Sequence, residues 1–304
     1  MRILPLLLLA LLLSFTALPA AQAVGSPPFA STGITRAAVL VHPFHPGPDA
    51  MFQVSSVVIE ARDELLLVNA QFGRSDAERL VQWIRAIGKP LRTIYISHGD
   101  PDYYFGLATL QDAFPRARIV ATPATVAHIR ATSADKLAFW GPKMGTEAPT
   151  RIVIPWRLRG DRLRMKGAEL RIIGLGGPDR ARTTLWLPGQ RVVLGGVLVS
   201  AGEHVWMADT QGKQSHQNWL AALQQLQALR PLQVIPGHYT VGAALDDSAL
   251  SFTADYIRAF DEETARAADS TALIAAMRAR YPDLAGVEGL ELSARVAKGE
   301  IPWP

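Results

Sequence analysis

No cysteine occurs anywhere in the 304 residues. Disulfides and thiolate metal ligands are thereby excluded. The fold has to be held by its apolar core alone, and any metal site has to be built from His, Asp and Glu. Material for a core is plentiful: 49% of the residues are apolar and only 19% are charged, which excludes an intrinsically disordered chain. Residues 1–23 combine Arg2, an apolar run from Ile3 to Leu18 and the small-residue signal Ala21-Gln22-Ala23. Those are the three parts of a secretory signal peptide. The expectation is a secreted or periplasmic protein cleaved near Ala23. An uncleaved anchor is the competing reading, which Pro5, Ser14 and the small residues at the end of the run oppose. No later apolar run is long enough to span a bilayer, so no stable membrane anchor is expected after cleavage. The net charge of +4 is small and dispersed. It argues against a nucleic-acid partner and leaves a small molecule as the expected one.

Beyond the leader the pattern alternates between strand and helix. Residues 24–50, rich in Pro and Gly, read as an extended arm or first edge strand. Residues 55–60 and 65–69 read as paired strands, and 75–87 as a helix with Ala77, Leu80, Val81, Ile84 and Ile87 on one stripe. A strand at 93–96, a helix at 105–113, a strand at 119–121 and a helix at 125–131 follow. Residues 141–149 read as a Pro/Gly loop. Strands are expected at 151–154, 169–173, 183–187 and 191–194, a helix at 218–229 and a strand at 233–235. The tail from 250 is mostly helical, with Leu273, Ile274, Met277 and Tyr281 at helical spacing. That face suits packing on the domain or on a second subunit, which leaves a homodimer open. This order implies an α/β fold with mixed sheets in packed layers. The expected division is a signal peptide (1–23), one domain (24–245) and a helical C-terminal extension packed on it (246–304).

Chemistry concentrates at the ends of two strands. In Ser97-His98-Gly99-Asp100-Pro101-Asp102-Tyr103-Tyr104-Phe105-Gly106, a buried strand runs out and His98, Asp100 and Asp102 appear at alternate positions. An extended loop aims such residues to one side, and imidazole nitrogen and carboxylate oxygen are both zinc ligands. The competing reading is a turn in which Asp100-Pro101-Asp102 caps the next helix. The second strand ends in Pro236-Gly237-His238, where a lone His is ordinarily a surface residue.

Together these segments resemble the metallo-β-lactamase fold superfamily, whose members carry Thr/Ser-His-x-His-x-Asp-His-x-Gly-Gly, later a Gly-His and a Gly-Asp, and finally Pro-Gly-His. The resemblance covers roughly residues 36 to 240. It implies a four-layer αββα sandwich of two mixed β-sheets flanked by helices, with a metal-activated water between the sheets. Residue by residue, His98, Asp102 and His238 keep their ligand positions. Asp100 stands for a His, Tyr103 for another, and Asp179, in Gly177-Pro178-Asp179, for a third. Val197 stands where a bridging Asp is expected, and Asn69 where an aspartate braces the site. The implied metal site is therefore reduced, with one ion shared by His98, Asp102 and His238 and helped by Asp100 or Asp179. Zinc is the expected cofactor, Mn or Fe(II) are open on so oxygen-rich a set, and a metal-free site is the remaining alternative.

The implied activity is hydrolysis of an ester, lactone, thioester or amide. Asp102 is a candidate for orienting the water, and Tyr103 for donating to the oxyanion. The alternative is an inactive relative that keeps the cleft for binding. His204, in Gly202-Glu203-His204-Val205-Trp206, is either a cleft residue or structural. Trp140, Trp156 and Trp206 are expected mainly in packing roles. His42, His45, His128 and His216 are expected at the surface. No nucleophile elbow, P-loop or dinucleotide motif is present.

Overall fold

The computed structural model describes residues 39–303. The signal-peptide reading lies outside them. The first sheet is built by β1 (Leu40–Phe44), β2 (Ser56–Glu60), β3 (Leu65–Val68), β4 (Leu91–Ile96), β5 (Arg118–Ala121) and β6 (Trp156–Arg157), paired in that order. β1, β2 and β3 are antiparallel neighbours; β3 to β6 run parallel. Parallel strands need crossovers. α1 (Arg74–Ile87) makes the first. α2 (Pro101–Tyr104) and α3 (Leu107–Ala113) make the second, and α4 (Pro123–Met144) the third.

The second sheet, also mixed, has the order β12 (Gln233–Ile235), β10 (Val192–Leu194), β9 (Thr184–Leu187), β8 (Ala168–Ile173) and β7 (Arg162–Met165). β11 (Ser200–Ala201) and β13 (His238–Tyr239) form a short parallel pair of their own. α5 (Lys213–Ala228) precedes β12, and α6 (Ser248–Arg266), α7 (Ser270–Arg280) and α8 (Val287–Ala297) follow β13.

Strand periodicity places the two cores. Val57, Ile59, Leu66, Val68 and Tyr95 point toward the second sheet and join Leu170, Leu185 and Leu194. Their neighbours Val58, Leu65, Leu67, Ile94 and Ile96 point the other way, onto Leu80 and Ile84 of α1, Leu110 of α3 and Ile129 of α4. Trp219, Leu223 and Leu226 of α5 and Tyr256 and Phe260 of α6 close the far side of the second sheet. The result is the expected αββα arrangement, with α6, α7 and α8 as the C-terminal helices.

Several boundaries differ from the sequence reading. α4 runs to Met144, through Gly141 and Pro142, where a loop is expected. Its last turns carry Phe139 and Trp140, which stack edge-on with each other and with Trp303 and Phe52 respectively, so tertiary packing overrides a locally poor helix sequence. Residues 151–154 form no strand; pairing with β5 begins at Trp156. β7, unanticipated, holds its charged face through Arg162 and Arg164, both on Glu169 of β8. The helix expected at 105–113 is α3, beginning at Leu107, and α2 precedes it as an unanticipated short helix.

Candidate active-site cleft

The loop after β4 is fixed from both sheets before any functional side chain is placed. Asn69, at the end of β3 and in the left-handed region (φ 65), accepts from the Ser97 amide at 3.0 Å and the Ser97 hydroxyl at 2.9 Å. The Ser97 carbonyl accepts from the Thr183 hydroxyl at 2.7 Å, just before β9. His98 emerges from this clamp almost fully buried. Gly99 is required here: a Cβ would lie 2.3 Å from the His128 ring of α4.

Two ion-paired groups result. His98 Nδ1 lies 2.9 Å from Asp100 Oδ2, and the ammonium of Lys136, further along α4 than His128, holds the other oxygen of Asp100. Burial works to raise the Asp100 carboxyl, but His98 and Lys136 hold it well below the usual carboxylate range. Asp102, in the first turn of α2, meets His238 Nε2 at 2.9 Å. Glu203 Oε1 stands 3.8 Å from the other imidazole nitrogen. Burial works to lower the His238 imidazole, and Asp102 reverses this, so its affinity for a proton is raised. Glu203 is raised by burial, with His238 opposing.

Tyr103 joins the two groups. Its ring stands edge-on to His98 (5.7 Å, 84°) and to His238 (5.7 Å, 88°). Burial and then the Asp102 and Asp100 carboxylates push the phenol well above its usual range, so it is a neutral donor. It fits only because residue 237 is Gly, where a Cβ would be 2.5 Å from the phenol oxygen and 2.3 Å from the Gly196 carbonyl. The Tyr103 hydroxyl has no partner, and neither do Asn69 Nδ2 and Thr184 Oγ1. All three gather around Gly195, Gly196 and Gly237: a Cβ on Gly195 would be 3.8 Å from Asn69 Nδ2, and one on Gly196 would be 2.3 Å from Thr184 Oγ1. Buried polar groups are ordinarily paired, so these three atoms keep unmet hydrogen-bonding capacity in the buried interior of the site.

A family model described as the metallo-beta-lactamase superfamily matches residues 50–238. The chain belongs to that superfamily. A metallo-beta-lactamase family protein from Thermus thermophilus shares the fold with a TM-score of 0.59 at 16% identity, over 85% of this chain and 91% of that one. The DIM-1 metallo-beta-lactamase shares it with a TM-score of 0.50 at 20% identity, over 72% of this chain and 92% of that one. An uncharacterized protein, YobT, of Bacillus subtilis (strain 168) is 31% identical over 71 residues, 23% of this chain. That match spans only 30% of the Bacillus protein.

Superfamily members typically bind zinc, but the donors here do not fit the family's metal pair. Both oxygens of Asp100 are engaged by His98 and Lys136, and Asp102 is engaged by His238. Asp179 turns to Arg182 at 3.0 Å, with its side chain about half exposed. Val197 offers no ligand. Among the described residues no three of His, Asp and Glu gather in an arrangement that holds a metal ion.

His204 is not brought to this cluster. The backbone alternation that turns Glu203 toward His238 turns His204 to the Tyr256 hydroxyl of α6 at 2.9 Å. Four further histidines are corrected. His45 is half-buried, with Nε2 2.6 Å from the Tyr239 carbonyl. His216 is buried between Asp261 (2.6 Å) and the Thr210 carbonyl (2.6 Å). His128 is half-buried and stacked on His98 at 6.3 Å. His42 is half-buried on Glu60. Trp140 and Trp206 pack edge-on against Phe52 as expected, whereas Trp156 is 79% exposed. Sequence reasoning missed Lys136 and Glu203. Lys136 lies in the part of α4 beyond the stretch that periodicity marks as helix, and Glu203 precedes a histidine that draws the attention to itself.

Proposed function

We propose that the protein is a hydrolase of a small ester, lactone, thioester or amide, working from this cleft through ion-paired acid–base residues. The observation that carries the reading is the buried Asp102–His238 pair at 2.9 Å, with the unpartnered polar atoms Asn69 Nδ2, Thr184 Oγ1 and Tyr103 Oη in the same site. All three groups can donate to a carbonyl oxygen that gains negative charge. The carboxylate–imidazole pair is the arrangement that takes a proton from water. Water adds to the carbonyl carbon, its proton passes to the Asp102–His238 pair, and Tyr103 and Asn69 donate to the oxyanion. Collapse breaks the bond to the leaving group, which takes the proton back. Asp100, His98 and Lys136 form the fixed wall of the cleft.

The Asp100–Lys136 pair also favours a second reading, in which the cleft binds a small molecule without turnover. The deciding experiment screens ester, lactone, thioester and amide substrates with the purified protein, in chelator and then in added zinc, alongside Asp102→Asn. Turnover that survives the chelator and disappears in Asp102→Asn is the expected result. Turnover that appears only with zinc would return the family's metal mechanism. No turnover under either condition, with small molecules still bound, would leave the binding reading.

A further inference from the structure

The six-stranded sheet ends in a two-residue edge strand, and its Trp156 is the most exposed large apolar side chain among the described residues, at 79%. Such an edge is normally covered or blunted with charge. Here a shallow groove lies on each side of the indole, of about 520 and 670 Å³. Arg116, Arg118 and Arg157 line the first, and Arg130, Arg157 and Arg159 the second. All five guanidinium groups are on exposed residues. The linings hold no Asp or Glu. Arg151, Arg162 and Arg182, by contrast, are ion-paired. None of the five groove arginines has a carboxylate in ion-pair range among the described residues. The walls between them are apolar, with Ile154 and Val153 on one side and Leu158 and Pro123 on the other.

We propose that this edge is a peripheral docking surface for an anionic phospholipid bilayer. Arg binds phosphate in fork geometry and is readily desolvated, and an indole flanked by aliphatic side chains belongs at the headgroup–acyl boundary. Polyanion binding by nucleic acid would instead favour a charged track with several stacking aromatics, and here a single Trp stands at the centre of the charge. No described helix is long and apolar enough to cross a membrane. The proposed contact is made by the exposed Trp156 and arginine side chains. The inference is independent of the hydrolase reading.

The test is co-sedimentation of the full chain with vesicles of phosphatidylglycerol and phosphatidylcholine, against vesicles of phosphatidylcholine alone. Wild type is compared with Trp156→Ala and with Arg157→Glu/Arg159→Glu. Any contribution of the apolar leader is common to all three proteins and to both vesicles. The expected result is selective sedimentation with anionic vesicles, weakened by salt, and reduced roughly tenfold or more in the double variant and clearly in Trp156→Ala. The substituted residues are exposed, and unchanged circular dichroism and melting temperature confirm folding. Three outcomes would overturn the proposal: equal binding to both vesicles, binding indifferent to the substitutions, or no vesicle binding with single-stranded DNA bound through the same arginines.

Discussion

Lys136 and Asp100 show how a single side chain redefines the site. A carboxylate as buried as Asp100 needs a cation, and here an ammonium from α4 supplies it beside the His98 imidazole. Lys136→Met leaves that carboxylate with His98 as its remaining cation partner and should cost about 2–3 kcal/mol in chelator. Zinc should leave the melting temperature of wild type unchanged and raise that of the variant, because a freed Asp100–His98 pair gains affinity for the ion. Identical zinc responses in the two proteins would refute the idea that the lysine occupies the metal's electrostatic role. Tyr103 gives the opposite prediction. Its hydroxyl is buried without a partner, so Tyr103→Phe should be neutral or stabilising by about 0.5–1 kcal/mol. The same change should cut turnover by roughly tenfold or more. A destabilised variant with full turnover would show that the phenol serves the fold and not the reaction. At this scale the sequence is legible where a motif fixes the position, as for His98, Asp102 and His238. It is not legible for Lys136, whose role depends on a helix continuing past the stretch its periodicity marks, nor for the pairing of Asp179 with Arg182, which is a choice between partners made only in three dimensions.

Elements that can be read from the pattern alone are short apolar runs and single apolar stripes. β2, β3, β4 and β12 are short apolar runs, and α1 carries one clean stripe. The elements that cannot be read are held by contacts outside their own sequence, as β7 is by Glu169 and the end of α4 is by Phe52 and Trp303. The edge of the first sheet has its own electrostatic tie. Glu60 at the end of β2 receives Lys89, just before β4, at 2.6 Å, and His42 of β1 at 2.7 Å. The hydrogen bond from Lys89, with help from His42, holds the Glu60 carboxyl below its ordinary value. A carboxyl depressed by folding stabilises fully above its unfolded value, about 4.5, and loses that contribution as pH falls through the lower folded value. Glu60→Gln should therefore cost about 1 kcal/mol at neutral pH. The gap between the urea midpoints of variant and wild type should stay constant down to about pH 5 and close below pH 4. A gap that persists undiminished at pH 3 would show that the loss is one of packing.

Across the whole molecule, the C-terminal helices belong to the same core as the second sheet. Tyr256, Phe260, Leu273, Met277 and Leu290 are buried with Trp186, Leu194 and Trp219. His216 ties α5 to Asp261 of α6 at 2.6 Å, and the described residues 39–303 fall in one compact unit. With no cysteine to staple an isolated layer, removing these helices would strip apolar cover from one face of the second sheet and leave nothing to replace it. The shared core predicts one cooperative unit across the boundary expected near residue 245. Phe260→Ala, which opens a cavity at the α5–α6 contact, should cost about 3–5 kcal/mol and lower the one melting transition as a whole. Truncation after residue 245 should remove near-ultraviolet circular dichroism and yield an aggregating chain. Calorimetry of the intact protein should show a single endotherm whose calorimetric and van't Hoff enthalpies agree. Two separable endotherms, or a truncated chain that keeps its near-ultraviolet signal and melts cooperatively, would mean that the sandwich carries its own stability and the helices are an added cover.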